Sequence, residues 1–243
     1  MKMTTLGRPA TFAGKHVVAA RANSDRREII ASQFTLEPVP IPLWFKVAYT
    51  AFCAILIPNY LRDYGPTNFL YFCDVALLMA LAGIWLDSPL LISAPAVGIL
   101  IPQAVWVIDY LAALAGFELT GMTAYMFDAK FPFFTRFLSF FHFWLPFALL
   151  YLVTRTGYDP RGFLLWTVLS TILVIVCYVW MPPPPAPADN PKLPVNINYV
   201  YGMGEKAAQT WMPPLAWVSM LLVGLPAVVY YPTHWVLSKY FAR

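Results

Sequence analysis

Charge is scarce in this sequence. Only 12% of the 243 residues are Asp, Glu, Lys or Arg, whereas 60% are hydrophobic and 17% are aromatic. So little charge excludes an ordinary soluble domain and predicts an integral membrane protein. The net charge of +4 is spread along the chain apart from an N-terminal cluster. Since no nucleic-acid motif occurs, we expect the partner to be membrane lipid and not nucleic acid.

Cysteine and histidine are also rare, with three residues of each. Cys53, Cys73 and Cys177 lie inside apolar segments. A disulfide framework has an even number of cysteines, usually in loops, so this pattern excludes one. His142 is the one histidine inside a predicted span, and no His-x-x-x-His or Glu-x-x-His spacing occurs. The sequence therefore predicts no metal site and leaves the cofactor unknown.

Long apolar runs dominate what is present. A helix of about 20 residues crosses the ~30 Å hydrocarbon core of a bilayer. The runs do not alternate in polarity, and lipid requires satisfied backbone groups, so the predicted fold is an all-α polytopic transmembrane bundle. A piece from Thr233 to Arg243 is predicted as a C-terminal interfacial helix. The six predicted spans are 43–60, 67–86, 89–114, 134–154, 162–181 and 214–232.

The chain divides into a basic tail with a proline lead-in, residues 1–42, and a transmembrane domain, residues 43–243. The first forty residues lack the apolar run of a signal peptide. With the N-terminus in the cytoplasm, only five of the sixteen Lys and Arg residues fall in outer loops. This favours a cytoplasmic N-terminus, in a bacterial inner membrane. A long proline-rich loop, 182–213, then lies on the outer side, where the working surface is expected.

One carboxyl group stands close to the start of the second predicted span. Asp74 follows Cys73 in the sequence Phe72-Cys73-Asp74-Val75. Both residues are expected about 6–9 Å below the start of that span. A carboxyl group in hydrocarbon costs several kcal/mol unless it is paired, protonated or facing a polar cavity. Asp74 is therefore the first candidate functional residue.

Other costly side chains are predicted at a similar depth. Asp109 is expected ~8 Å from the outer end of the third span, and His142 ~12 Å from the start of the fourth. Asn68 and Asn198 precede the second and sixth spans on the same side. These groups predict a polar pocket that opens toward one membrane face. The alternative is that each group reaches the interface independently and bonds to backbone or water.

The residue types in this set suit nucleophilic catalysis. His142 is the candidate general base and Cys73 the candidate nucleophile. Asp109 or Asp74 would orient the imidazole, and Asn198 would stabilise an oxyanion or bind a headgroup. The structural alternatives are a hydrogen-bonded core histidine and a small apolar cysteine. The further substrate contacts predicted on the same side are Tyr199, Asn68 and Arg62.

The order of these features is similar to that of a group of polytopic membrane lipid hydrolases and acyltransferases. The resemblance is carried by Phe72-Cys73-Asp74-Val75, by His142 in an aromatic helix two spans later, and by Asn196-Ile197-Asn198-Tyr199 before the last span. The group comprises androgen-inducible membrane threonine hydrolases, ether-phospholipid acyltransferases and uncharacterised bacterial relatives. It implies a catalytic Cys, Ser or Thr and a later His acting on fatty-acyl esters, at positions Cys73 and His142. Asp74 stands where that group's motif has a His.

Three functions are open at this point. The leading hypothesis is a membrane enzyme that hydrolyses or transfers lipid acyl groups. The second is a non-catalytic subunit or assembly factor of a larger membrane complex, for which the aromatic residues and the proline-rich loop would supply docking surfaces. The third is a proton-coupled carrier that uses Asp74, Asp109 and His142 as a relay.

Overall fold

The computed structural model describes residues 39–204 and 206–242, most of which are helical. No β-strand occurs within these ranges, where an isolated bridge joins Tyr158 to Ala242. The predicted all-α fold is confirmed. The predictions for residues 1–38 of the basic tail, and for Arg243, lie outside the described residues.

Eight α-helices, α1 to α8, are present in the described ranges. A π-helical segment, Leu225–Tyr230, connects α7 directly to α8, and short 3₁₀ helices occur at Pro66–Leu70, Ala124–Met126 and Ile197–Tyr199. The α-helices are Leu43–Asp63 (α1), Phe72–Trp85 (α2), Pro89–Leu114 (α3), Phe133–Leu138 (α4), Phe141–Thr156 (α5), Arg161–Trp180 (α6), Pro214–Gly224 (α7) and Tyr231–Phe241 (α8).

Four helical units among the described residues are long and apolar enough to cross a membrane. They are α3, α4 together with α5, α6, and the continuous unit from α7 to α8. This arrangement fits a multi-pass membrane protein. Helix α2 is also apolar but has only 14 residues. The C-terminal helix predicted from Thr233 is present within α8, and it continues the preceding span.

The second predicted span begins later than the sequence indicated. Gly65 has a φ of +83°, and Pro66 after it opens a 3₁₀ helix that ends at Leu70. Tyr71 is extended, so α2 begins at Phe72. Asp74 therefore lies in the first turn of an α-helix, not the 6–9 Å below its start that a span from residue 67 predicted.

Helix α3 is the central helix, and it packs against α2, α5 and α6. Small residues on its buried face make this possible. A Cβ atom added to Gly98 would lie 1.8 Å from Cε2 of Trp166 on α6, so the indole packs directly on the glycine backbone. Gly162 approaches Ser93 and Ala94 of α3 in the same way. These contacts hold α3 and α6 together.

Candidate functional site

A cavity of about 780 Å³ lies beside the start of α2 and the second half of α3. Its walls come from α1, α2, α3, α5 and α7 and from two loops within residues 118–131 and 185–207. This volume is in the range of small-molecule binding sites. Sequence-predicted residues that line the cavity are Asn68, Cys73, Asp74, His142, Asn198 and Tyr199. We call this part of the molecule the cavity end.

Asp74 is the most informative residue of the cavity. Its side chain is only 2% exposed. The Asn68 amide donates to Oδ2 at 3.1 Å, and the Cys73 thiol lies 4.0 Å from the same oxygen. Oδ1 accepts no hydrogen bond from any described residue. Because buried polar atoms are normally paired, this oxygen is a candidate ligand contact.

Two further buried polar groups of the cavity come from α3. Gln103 and Trp106 are 3% and 5% exposed, and both line the cavity. Neither Gln103 Oε1 nor Trp106 Nε1 has a hydrogen-bond partner among the described residues. Sequence reasoning missed both residues. Their three-residue spacing, repeated by Asp109, marks one face of a helix and was the available signal.

His142 is held in a defined orientation by its own helix and by α3. Its Nδ1 lies 2.7 Å from the Ser139 carbonyl oxygen. Since a carbonyl only accepts, Nδ1 carries the proton, and Nε2 of the neutral ring is an acceptor. The ring stacks on Trp106 with centroids 4.8 Å apart and planes at 19°. His142 is therefore oriented by Ser139 and Trp106.

Cys73 and His142 line the same cavity but share no hydrogen bond in the described part of the chain. The thiol instead has its polar contact with Asp74 Oδ2. In this contact the thiol acts as a donor, whereas a nucleophile must be a thiolate. The two predicted catalytic residues thus share a cavity wall, but the predicted pair is not formed.

Asp109 has a different role from the predicted one. Its Oδ1 accepts from the backbone N–H and hydroxyl of Thr120 at 2.7 and 2.8 Å. Its Oδ2 accepts from the same two groups of Thr123 at 3.0 and 2.6 Å. All described side-chain hydrogen bonds of Asp109 go to this loop, and none goes to His142. The carboxylate fixes the loop that follows α3, which forms one wall of the cavity.

The predicted substrate contacts separate into two groups. The Asn198 amide holds the chain together: Oδ1 accepts from Phe72 N at 2.9 Å and Nδ2 donates to the Leu70 carbonyl at 2.9 Å. It therefore caps α2 from the long loop. The Tyr199 carbonyl accepts from the Trp217 indole at 2.8 Å. Arg62 is exposed, pairs with Asp63 at 2.9 Å and lies outside the cavity wall.

Charged residues of both signs line the two loops at the cavity end. Glu118, Lys192 and Lys206 belong to this lining, as do Asp128 and Lys130, which form an ion pair at 3.3 Å. The backbone N–H of Lys130 holds the pKa of Asp128 below its usual value, so this carboxyl group is ionised. Burial raises the pKa of Tyr125 well above its usual value, so its phenol remains a donor. Two acidic and three basic side chains therefore line the loops.

No group of three or more His, Cys, Asp and Glu side chains that could hold a metal ion occurs among residues 39–204 and 206–242. The resemblance to lipid hydrolases and acyltransferases stays a prediction. No family model matches this chain, and no curated protein or solved structure matches it either.

Proposed function

We propose that this protein binds an amphiphilic, lipid-like molecule and holds its polar group in the cavity. One observation carries this proposal. A single cavity combines buried polar groups at the start of α2 with an apolar part between α3 and α7. A ligand with one polar group and a hydrocarbon tail matches both parts.

The apolar part of the cavity lies next to lipid-facing helices. Ile99 and Pro102 line it from α3, and Leu221 and Leu225 line it from the last helical unit. That unit is the least enclosed of the four candidate spans, with 17% of its apolar window buried. A tail bound here removes apolar surface from water at about 25 cal/mol per Å². The position favours a ligand taken from the membrane.

A cavity-filling substitution tests the proposal. The protein in nanodiscs would be exposed to long-chain alcohols that carry a photoactivatable diazirine, and the labelled peptides mapped by mass spectrometry. We expect labels on the cavity wall. Leu221→Trp fills the apolar part, so we expect labelling to fall about tenfold, the effect of ~1.4 kcal/mol of binding energy.

Val223→Trp is the matched control, because Val223 lies on the same helix but is 69% exposed. Its labelling should equal that of the natural sequence. If both variants are labelled equally, or if no label maps to the cavity, the proposed function is wrong.

The second candidate function is acyl hydrolysis or transfer. It is favoured by one observation, namely that Cys73, Asp74, Ser139 and His142 line the same cavity. In this reaction the Cys73 sulfur would form a bond to an acyl carbonyl carbon while His142 Nε2 takes the thiol proton. Nε2 would return that proton to the departing alkoxide, and water or an acceptor alcohol would release the acyl group.

A covalent acyl adduct distinguishes the two candidates. A thioester-forming acyl probe should label the protein, and labelling should be lost in Cys73→Ala and reduced about 10²-fold in His142→Ala. Cys53→Ala is the control, since Cys53 is buried away from the cavity wall. If Cys73→Ala still forms the adduct, this second candidate is wrong, while reversible binding of an amphiphile is unaffected.

A further inference from the structure

We infer that the polar group held at Asp74 is an ammonium group, and hence that the ligand is a long-chain amine. This inference rests on the proposed function, which supplies the hydrocarbon tail. It adds the chemical class of the headgroup. It follows from how Asp74 differs from the other aspartates of the described chain.

Apart from the exposed Asp189, the other aspartates of the described chain have charged or hydrogen-bonding partners. Asp109 accepts four hydrogen bonds from Thr120 and Thr123. Asp74 is as deeply buried as Asp109, but its described partners are one amide and one thiol. The aspartates with a basic partner are Asp63 with Arg62, Asp87 with Lys46, Asp128 with Lys130 and Asp159 with Arg161.

A buried carboxyl group without a basic partner is costly in its ionised form unless it takes up a proton or something else supplies the opposite charge. An ammonium group at Oδ1 of Asp74 would supply that charge through a short, charge-assisted hydrogen bond. Its remaining N–H groups need further acceptors. Gln103 Oε1 is a buried acceptor without a described partner in the wall of the same cavity.

The wall beside Asp74 also offers aromatic rings, whereas Lys130, Lys192 and Lys206 line the loops. Aromatic rings attract cations to their faces, most strongly when water is excluded. Tyr60 and Phe72 line the cavity beside the start of α2. Beside an ionised Asp74, a carboxylate headgroup would place a second negative charge, and an alcohol would leave the charge of Asp74 unpaired. An ammonium group therefore fits this wall better than either.

The inference is tested by competition in nanodiscs against the photoactivatable long-chain alcohol. Dodecylamine, dodecanol and dodecanoate would be compared at equal mole fraction in the bilayer, so that membrane partitioning does not bias the result. We expect the amine to compete at least about tenfold better than the alcohol, since hydrogen bonds to charged groups are the stronger ones. Butylamine should compete poorly, which separates a membrane amine from a free small amine.

Substitutions then identify the side chains that cause the preference for the amine. Asp74→Asn should reduce the advantage of the amine to within about threefold, because the neutral amide gives no charge assistance. Asp87→Asn is the matched control, since Asp87 is paired with Lys46 and lies outside the cavity wall; it should keep the full preference. Gln103→Met retains the length of the side chain and should weaken amine competition several-fold. If Asp74→Asn does not fold, Gln103→Met tests the headgroup assignment in its place.

The outcomes separate the two proposals. If the alcohol competes as well as the amine, or if the preference survives in Asp74→Asn, the headgroup assignment is wrong and amphiphile binding stands. If none of the three amphiphiles competes, the proposed function fails and this inference fails with it.

Discussion

The two ends of the helical bundle differ in how their polar groups are paired. At the end opposite the cavity, which we call the turn end, short turns at residues 86–88 and 157–160 join the helices. Polar side chains there bind one another or the backbone. The pairs are Lys46 with Asp87 at 2.8 Å, Arg161 with Asp159 at 2.7 Å, Ser93 Oγ with Asp159 N at 2.9 Å, and the Tyr158 hydroxyl with His234 Nδ1 at 2.6 Å.

At the cavity end, by contrast, three buried polar atoms of the wall have no described protein partner: Asp74 Oδ1, Gln103 Oε1 and Trp106 Nε1. A polar group that is already paired stabilises the fold, whereas a buried one without a partner destabilises it and, where it faces a cavity, is available to a ligand. Two other buried atoms without a described partner, Trp166 Nε1 and the Tyr230 hydroxyl oxygen, do not line the cavity. The difference therefore assigns structure to the turn end and ligand binding to the cavity end. Substitutions at the two ends should then act on different properties.

The largest effect is expected at Asp109, which belongs to the cavity end but is fully paired. Asp109→Asn keeps the shape of the side chain but replaces one acceptor oxygen with an NH₂ group that faces the Thr donors. We expect the free energy of unfolding to fall by about 3 kcal/mol, because hydrogen bonds to a charged group are lost. Denaturant titration of the purified protein in detergent measures it.

Asp128→Asn is the control for this change, since it also neutralises an aspartate near the cavity but on an exposed ion pair. It should alter stability by less than about 1 kcal/mol. A stability loss at Asp128 equal to that at Asp109 would contradict the assignment of a structural role to Asp109.

Asp109 also marks the limit of what the sequence predicted. Hydropathy predicted the helices because apolar runs of this length have few other stable structures in lipid. Depth along each helix predicted that Cys73, Asp74 and His142 lie at one end. Depth does not give direction around the helix axis, and it does not show that Thr120 and Thr123 fold back onto Asp109. Pairing of side chains depends on loop conformation, which hydropathy does not encode.

The same limit applies to residues that were predicted for one role and have another. Asn198 was selected because its amide precedes the last span, but φ angles of +50° and +57° at Asn196 and Asn198 turn the loop so that the amide caps α2. Arg62 was selected by its position at a helix end, yet Asp63 beside it is its partner. Gln103 was overlooked because the candidates chosen inside the predicted spans were Asp, His and Cys, and the amide of Gln103 does not ionise.

A smaller effect is expected at the turn end. Tyr158→Phe removes the hydroxyl that contacts His234 Nδ1, and we expect a loss of about 1 kcal/mol in the free energy of unfolding. Amphiphile labelling at the cavity should not change. Tyr240→Phe is the control because Tyr240 is 63% exposed, and it should leave stability unaltered. Reduced labelling in a stable Tyr158→Phe protein would show that the two ends are not independent.

The smallest change in stability, and the most informative, is expected for Asp74→Asn. A carboxylate in the first turn of α2 interacts favourably with the helix dipole, which is worth about 0.3–1 kcal/mol. The burial of a charge without a basic partner acts in the opposite direction and is the stronger of the two effects. We therefore expect the free energy of unfolding to stay constant or to rise by about 1 kcal/mol, while the preference for an amine is lost. Thermal unfolding in the same nanodiscs without added amphiphile measures this.

A loss of stability comparable to that of Asp109→Asn would mean that Asp74 is retained to hold Asn68 and the start of α2. The contrast between the two ends would then no longer indicate a ligand.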